Sequence, residues 1–462
     1  MLGRLFLVVV LLLVSCSTPG PEGETAAREQ TTTTAPEMID SDGNPIPQAP
    51  EIAEGPLSSE ATGALDAVWD ALGTTIDVEH VAALGDTGDV RLAWLLSDLL
   101  RFFQGREVGT AAFDAFVEMT GVDLANASST RHWRVVTDYL IAWDVPAPPG
   151  YATYKEALYT LVEPGWQPFF DDTDADIDWR WISWGGVLID DRPLGDVEPC
   201  AEGCIPALDD PRVVAAGLGF WYPDDGIVFG VTINGESRAY PKNIMEVHEM
   251  VNDTLGGRRF GMPYCTLCGA AQVFLTDTVD GDPLVLRTSG LLSRSNKVMY
   301  DLATESMFDT FLGVALSGPL QGLALEQASV VTTTWGEWKT EHPETTIVAK
   351  DGGRGIEYPD DPLGGRDDNG PIFPVGDVDP RLPVQEQVLG VVAPDGVSVA
   401  FPVAAARSAL EEGAEVRLAG VELRLDAGGV RAFDESGAAI SAHQAFWFAW
   451  SQFHPGTELW ER

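Results

Sequence analysis

The chain has 462 residues, 45% of them hydrophobic, with 14 Trp and 19 Phe, enough apolar mass for a sizeable core and for two domains. It carries 71 acidic against 28 basic side chains, a formal net charge of −43. That balance argues against a nucleic-acid partner, whose binding rests on Lys and Arg neutralising phosphates, and against charge-driven adhesion to anionic lipid; it reads as a solvating acidic surface.

The first residues, MLGRLFLVVVLLLVSC, place Arg4 ahead of an apolar run from Leu5 to Val14. The run is shorter than the ~20 residues a spanning helix needs and has the form of a secretory signal, 1–15. Leu13-Val14-Ser15-Cys16 resembles a bacterial lipobox. The resemblance implies lipid on Cys16, a membrane partner through that lipid, and an extracytoplasmic, cell-membrane-anchored location. Residues 16–56 are rich in Thr, Pro, Glu and Gly and poor in large apolar residues. They are expected to form a disordered tether, because so little apolar surface cannot offset the entropy of ordering.

Residues 57–184 read as a small, mostly helical domain. In DVRLAWLLSDLLRFF, Leu92, Leu95, Leu96, Leu99 and Phe103 recur at three- and four-residue steps, one buried helix face. His132, beside Trp133 in such a helix, is expected to pack rather than ligate. Asp172, Asp174 and Asp176 alternate like the start of a calcium loop. Ile177 and Ser183 stand where an EF-hand needs Gly and Glu, so that reading fails.

From 185 to 462 the texture becomes short β-like runs between Gly, Asp and Pro, so the fold class is α+β, a helical domain followed by a β-rich one. IVFGVTINGESRAYP predicts a hairpin turning at Asn234-Gly235, and VFLTDTVDGDPLVLRTSG predicts another near Asp280-Gly281-Asp282. The segment 228–241 returns at 388–402. The pattern Trp335, Trp338, His342, Pro343, Thr345 returns as Trp447, Trp450, His454, Pro455, Thr457. The simplest account is two related, unequal modules, about 220–347 and 380–460. His342 and His454 are then expected to cap short Trp-bearing helices. The second module has no cysteine, so any cysteine chemistry belongs to the first.

Besides Cys16 the chain has four cysteines, in the pairs Cys200/Cys204 and Cys265/Cys268, with His248 between the pairs. The stretches GVTINGESRAYP, VHEMVNDTLGG, PYCTLCGAAQVF and SGLLSRSNKVMYDLATES resemble a widespread bacterial family catalogued as domain of unknown function 3179. CIPALDDP and AFWFAWSQFHPGTELW fit it too, so the resemblance spans about 185–462. It implies a site at His248 with Cys265 and Cys268, and matches Asn252, Asp253, Tyr264, Ser289, Gly290, Asn296, Met299, Tyr300 and Asp301. It implies no reaction.

Three chemistries fit. Cys265 and Cys268 with His248, and Met299 as a soft fourth ligand, suit copper or zinc, with Cys200 and Cys204 as an alternative completion of a four-sulfur zinc site. The pair also suits thiol–disulfide exchange, although no βαβ pattern surrounds it. Third, the cysteines are structural in a binding or scaffold lipoprotein. Enzyme activity stays open. Cys265 with His248 as base is a recognisable pairing, and Tyr264, Asn252, Asp253, Ser289, Asn296, Tyr300 and Asp301 are candidates for a polar pocket beside it. HEMVN begins like a zinc-protease motif but has Asn252 where the second His belongs. A protein partner is not identified by the sequence.

Overall fold

The computed structural model describes residues 38–200, 203–277 and 281–462. The signal segment, Cys16 and the first part of the expected tether lie outside the described residues. The rest of that tether, 38–56, is not the free chain expected. Ile39 bridges to Pro45 and Ile46 is buried. Trp143 donates its indole N–H to the Pro47 carbonyl at 2.7 Å, Arg91 bonds the Gly55 carbonyl at 2.6 Å, and the Val378 amide bonds Ile39 at 3.0 Å. A few apolar residues and backbone acceptors in reach of fixed donors suffice to order it.

Seven α-helices follow: α1 (Ser59–Trp69), α2 (Val78–Asp86), α3 (Ala93–Phe102), α4 (Glu107–Thr120), α5 (His132–Ala142), α6 (Tyr151–Val162) and α7 (Gln167–Asp171). Ser58 and Asp77 cap α1 and α2 with side-chain oxygens, and Gly121 closes α4 in the left-handed conformation, φ 66°. Of the predicted face, Leu95, Leu96 and Leu99 are buried on α3, Leu92 is buried in the turn before it, and Phe103 just after it is half-buried. Within this core Lys155 meets Asp98 at 2.7 Å, and Tyr151 and Tyr159 donate to the same carboxylate. The buried charge is thereby paired and its acceptors filled. His132 stacks on Phe113 with ring centres 3.4 Å apart, a packing role.

The β-rich part begins at β1 (Ile182–Trp184), β2 (Leu208–Asp209) and β3 (Val213–Ala215). The predicted hairpin is β4 (Ile227–Ile233) and β5 (Glu236–Pro241), turning through Asn234 and Gly235 at positive φ. After α8 (Lys242–His248) come β6 (Met250–Leu255), β7 (Arg258–Cys265), β8 (Ala270–Ala271) and β9 (Val273–Leu275). Next are β10 (Leu286–Ser293), β11 (Asn296–Asp301), β12 (Met307–Asp309), β13 (Val314–Ala315), β14 (Glu326–Ala328) and β15 (Val330–Thr334). Then follow α9 (Trp335–Glu341), β16 (Thr346–Val348), β17 (Gln387–Val392), β18 (Ser398–Pro402) and α10 (Val403–Glu411). The chain closes with β19 (Val416–Leu418), β20 (Val421–Asp426), β21 (Gly429–Phe433), β22 (Ala439–Ile440), β23 (Ala442–Phe446), α11 (Trp447–Phe453) and β24 (Glu458–Leu459).

These strands make five small sheets, ordered β1-β10-β11-β12-β13, β14-β9-β7-β6-β2, β15-β4-β5-β16-β3, β23-β17-β18-β24 and β19-β20-β21-β22. Among the described residues the second expected hairpin does not appear as a strand pair, and part of its turn, 278–280, lies outside them. β9 pairs with β7 and β14, while β10 pairs with β1 and β11 in another sheet. A turn-like composition marked the break between sheets rather than a reversal within one.

Two of the sheets run in matching order. β15-β4-β5-β16 and β23-β17-β18-β24 each have a helix after the third strand in that order and another after the first. Gly230 and Gly390 lie under Trp338 and Trp450, where any Cβ would overlap the indole. Trp338 donates to Thr345 at 3.0 Å and Trp450 to Thr457 at 2.9 Å. His342 and His454 follow their helices and pack on these Trp rings, centres 4.1 and 4.0 Å apart, each with Nδ1 facing a serine, Ser237 or Ser398.

The helices do not stand apart from the sheets. Ile182, Leu291, Val298, Tyr300 and Met307 join the helical core, and Met38–Arg462 form one compact unit.

Candidate functional site

Strand β7 delivers Cys265 to its end, and a single 3-10 turn, Thr266–Cys268, brings the second sulfur back beside the first. Gly269 closes the turn at φ 60°, with Gln387 and Phe446 packed where a side chain would go. β8 then returns against β7 through Tyr264–Ala271 and Cys265–Ala270. Both cysteines are free, Cys265 5% exposed and Cys268 fully buried. Their sulfurs lie 3.8 and 3.5 Å from the Ser295 carbonyl oxygen, and Asn296 Oδ1 is 3.8 Å from Cys268 Sγ.

The two thiols are electrostatically unequal. Burial pushes Cys265 up, but the hydrogen bond from Cys268 and the Lys297 ammonium outweigh it, and its pKa falls below the usual thiol value. Burial, together with the hydrogen bond and charge of Cys265, holds Cys268 well above that value. Lys297 is itself nearly buried and is fixed by Glu249, at 2.7 Å from its carbonyl oxygen and 2.8 Å from its carboxylate. Thr266 Oγ1 donates to the other Glu249 oxygen at 3.0 Å. Glu249 caps α8 at φ 52°, a left-handed position usually given to Gly.

Cys265, Glu249, Lys297 and Arg366 line a cavity of about 340 Å³ whose other walls include Leu291, Leu292, Ile372 and Phe373. Cys268 lies behind Cys265, outside the lining.

The other expected site residues stand elsewhere. His248 is not a ligand partner for the sulfurs. Its Nδ1 is 2.6 Å from the Pro206 carbonyl and its Nε2 2.6 Å from the Tyr358 hydroxyl. Burial lowers its pKa to about 4, so the ring is neutral. The left-handed turn at Glu249 directs that residue, not His248, to the cavity. Met299 is buried with Phe274, Leu286 and Phe308, in a different cluster from the cysteines.

Most of the supposed polar pocket is internal bracing. Asn252 bonds Asp209 and both backbone groups of Leu286, and Asp253 takes Arg238 and Tyr240. Ser289 bonds the Val298 carbonyl, Tyr300 the Asp190 carbonyl, and Asp301 accepts from the amides of Val285 and Thr304. Tyr264 packs on Phe229. Only Asn296 lies beside a sulfur.

Cys200 and Cys204 form a disulfide, Cα atoms 5.3 Å apart, which removes them as zinc ligands to a four-sulfur site. Among the described residues they are also the sulfurs of the one cluster of three potential metal donors, with Asp190. Bonded to each other, they offer no thiolate, and Asp190 is held by Arg192 at 2.6 Å and by the Ala207 amide at 2.8 Å.

Lys297, Glu249, Ser295 and Arg366 were not anticipated. One signal was available: a Lys inside the apolar-flanked NKVMYD of so acidic a chain.

A family model described as a protein of unknown function, DUF3179, matches residues 202–439, and the chain belongs to this family. The match contains Cys204, Glu249, Cys265, Cys268, Lys297 and Arg366 and leaves out helices α1–α7 and Cys200. No curated protein matches the chain, and no solved structure does.

Proposed function

We propose that Cys265 and Cys268 form a thiol–disulfide redox centre in which Cys265 is the attacking thiol. One observation carries the reading: two unbonded, hydrogen-bonded thiols of which only Cys265 opens to a cavity, with an ammonium group beside it. A lowered pKa raises the thiolate fraction of Cys265 above that of an ordinary thiol, and a buried neighbour with a raised pKa keeps the proton until it is needed to resolve a mixed disulfide. The test is a redox titration with alkylation and mass measurement. A two-electron transition that disappears in both Cys265→Ser and Cys268→Ser is expected. A pair that stays reduced at every accessible potential overturns the reading.

A soft metal ion such as Cu(I), or zinc, bound by the same two sulfurs is a second reading. It is favoured by the two free sulfurs side by side at the end of one turn, soft ligands that such an ion selects. Metal content of oxygen-protected protein well under one ion per chain excludes it.

We further place the protein outside the cytoplasm, lipid-anchored through Cys16. The Cys200–Cys204 disulfide supports this, since such bonds persist in oxidising compartments. Labelling with radioactive palmitate, lost in Cys16→Ser, tests it. We also infer that the β4/β5 and β17/β18 sheets are unequal copies of one unit, supported by their matching order and the paired Gly–Trp–His–Ser contacts.

A further inference from the structure

We propose that the cavity over Cys265 takes a low-molecular-weight disulfide with an apolar body and a carboxylate, and excludes the disulfides of folded proteins. The proposal rests on the redox reading above and concerns what reaches the sulfur.

Access comes first. Disulfide exchange needs the attacking sulfur in line with both sulfurs of the substrate, so the whole S–S unit must enter the cavity. Cys265 is 5% exposed at the wall of a space of about 340 Å³, the lower end of the range for small-molecule sites. A protein disulfide brings two flanking backbones with it and does not fit there.

The walls set the second requirement. Leu291 and Leu292 on β10 face the cavity together with Ile372 and Phe373 from the segment before β17, and an apolar body buries against them.

The third is charge. Lys297 is neutralised by Glu249 at 2.8 Å, but Arg366 makes no ion pair among the described residues of a chain with 71 acidic side chains. Arg366 stands exposed at the cavity's rim, its Nε–H donating to the Leu363 carbonyl at 3.0 Å and its terminal nitrogens making no hydrogen bond among the described residues, so they are open to a carboxylate.

The Cys265 thiolate attacks one substrate sulfur, forming a Cys265–substrate disulfide and expelling one thiolate. Cys268 gives its proton to that thiolate and attacks Cys265 Sγ, expelling the second. The pair loses two electrons, the substrate gains them as two thiols, and the last proton comes from water.

The experiment uses anaerobically reduced full-length protein with three oxidants: dithiobis(nitrobenzoate), an aromatic disulfide carrying carboxylates; dithiodipyridine, aromatic and uncharged; and insulin, a protein disulfide. Each rate is taken as the difference between wild type and Cys265→Ser and divided by the rate with free glutathione, which removes intrinsic reactivity. The expected result is a saturable reaction favouring the carboxylated reagent, with no insulin reduction. Arg366→Gln lowers the carboxylated reagent's normalised rate by about tenfold and leaves the dipyridine rate unchanged. Insulin reduced as fast as the small disulfides, or equal behaviour of Arg366→Gln and wild type, overturns the substrate class while leaving the redox reading standing. If no oxidant distinguishes wild type from Cys265→Ser, the redox reading itself fails.

Discussion

Cys265 is tuned by two side chains of opposite sign, so its reactivity can be moved both ways. Lys297 lowers its pKa and Glu249 raises it. Lys297→Met should slow alkylation of Cys265 at pH 7 by roughly tenfold, the effect of about one pKa unit, and Glu249→Gln should quicken it. The rate-against-pH curve with iodoacetamide moves to higher pH in the first and to lower pH in the second. Lys297→Met alone leaves the Glu249 carboxylate without its cation, so the double variant with Glu249→Gln is the control for folding.

The dithiol was legible as a motif, because two cysteines two residues apart declare themselves in the sequence. Its partners were not. Lys297 sits on β11 of one sheet and Cys265 on β7 of another, so their meeting depends on packing between sheets and leaves no local spacing. His248 misled for a related reason: a single left-handed residue after it exchanges which neighbour faces the cavity.

At the level of elements, helical periodicity and the Asn-Gly turn were readable because each rests on local geometry. Strand pairing was not, and β9 and β10 joined different sheets. The two Gly–Trp pairs show how tightly these two sheets are packed. Gly230→Ala or Gly390→Ala forces a Cβ into an indole ring and should destabilise by about 1–3 kcal/mol, measured by denaturant midpoint.

A second element matters to the site. The segment carrying Ile372 and Phe373 is fastened to α5 where Asp138 accepts the amides of Val375 at 2.7 Å and Gly376 at 2.9 Å. Burial raises the Asp138 pKa to about 7, against the pull of those amides and Arg134. The native state therefore holds this proton more tightly than the unfolded chain. The ionised group costs stability at alkaline pH, and the cost is relieved as pH falls from about 7 towards 3.8. Asp138→Asn keeps an oxygen acceptor and should raise Tm at pH 8, by a smaller amount at pH 5, and hardly at all below pH 3.8.

For the whole molecule two trends should dominate. Self-repulsion at a net charge of −43 predicts a Tm that rises as salt is raised from low to moderate concentration. Acid should act through three buried imidazoles. Burial lowers His248 to about 4, His443 to about 3, where His454 adds to the effect, and His454 to about 4. The unfolded chain takes up these protons first, so their contribution is complete above pH 6.5 and is lost as pH falls from 6.5 towards 4. Thermal melts across that window, repeated in Asp138→Asn to remove the opposing group, should show stability falling with acidification.

The two cysteine pairs also have an order in time. Synthesis delivers Cys200 and Cys204 before Cys265 and Cys268, and a spacing of four places the first two within easy reach of each other. Closing that short loop early takes both sulfurs out of circulation before the later pair appears. Cys265 and Cys268 would then emerge with no cysteine of the first pair left to mispair with, and are sheltered once β7, β10 and β11 close around them. In that order of events the Cys200–Cys204 disulfide would keep its sulfurs from mispairing with Cys265 and Cys268 during biogenesis, in addition to anything it contributes to the finished fold.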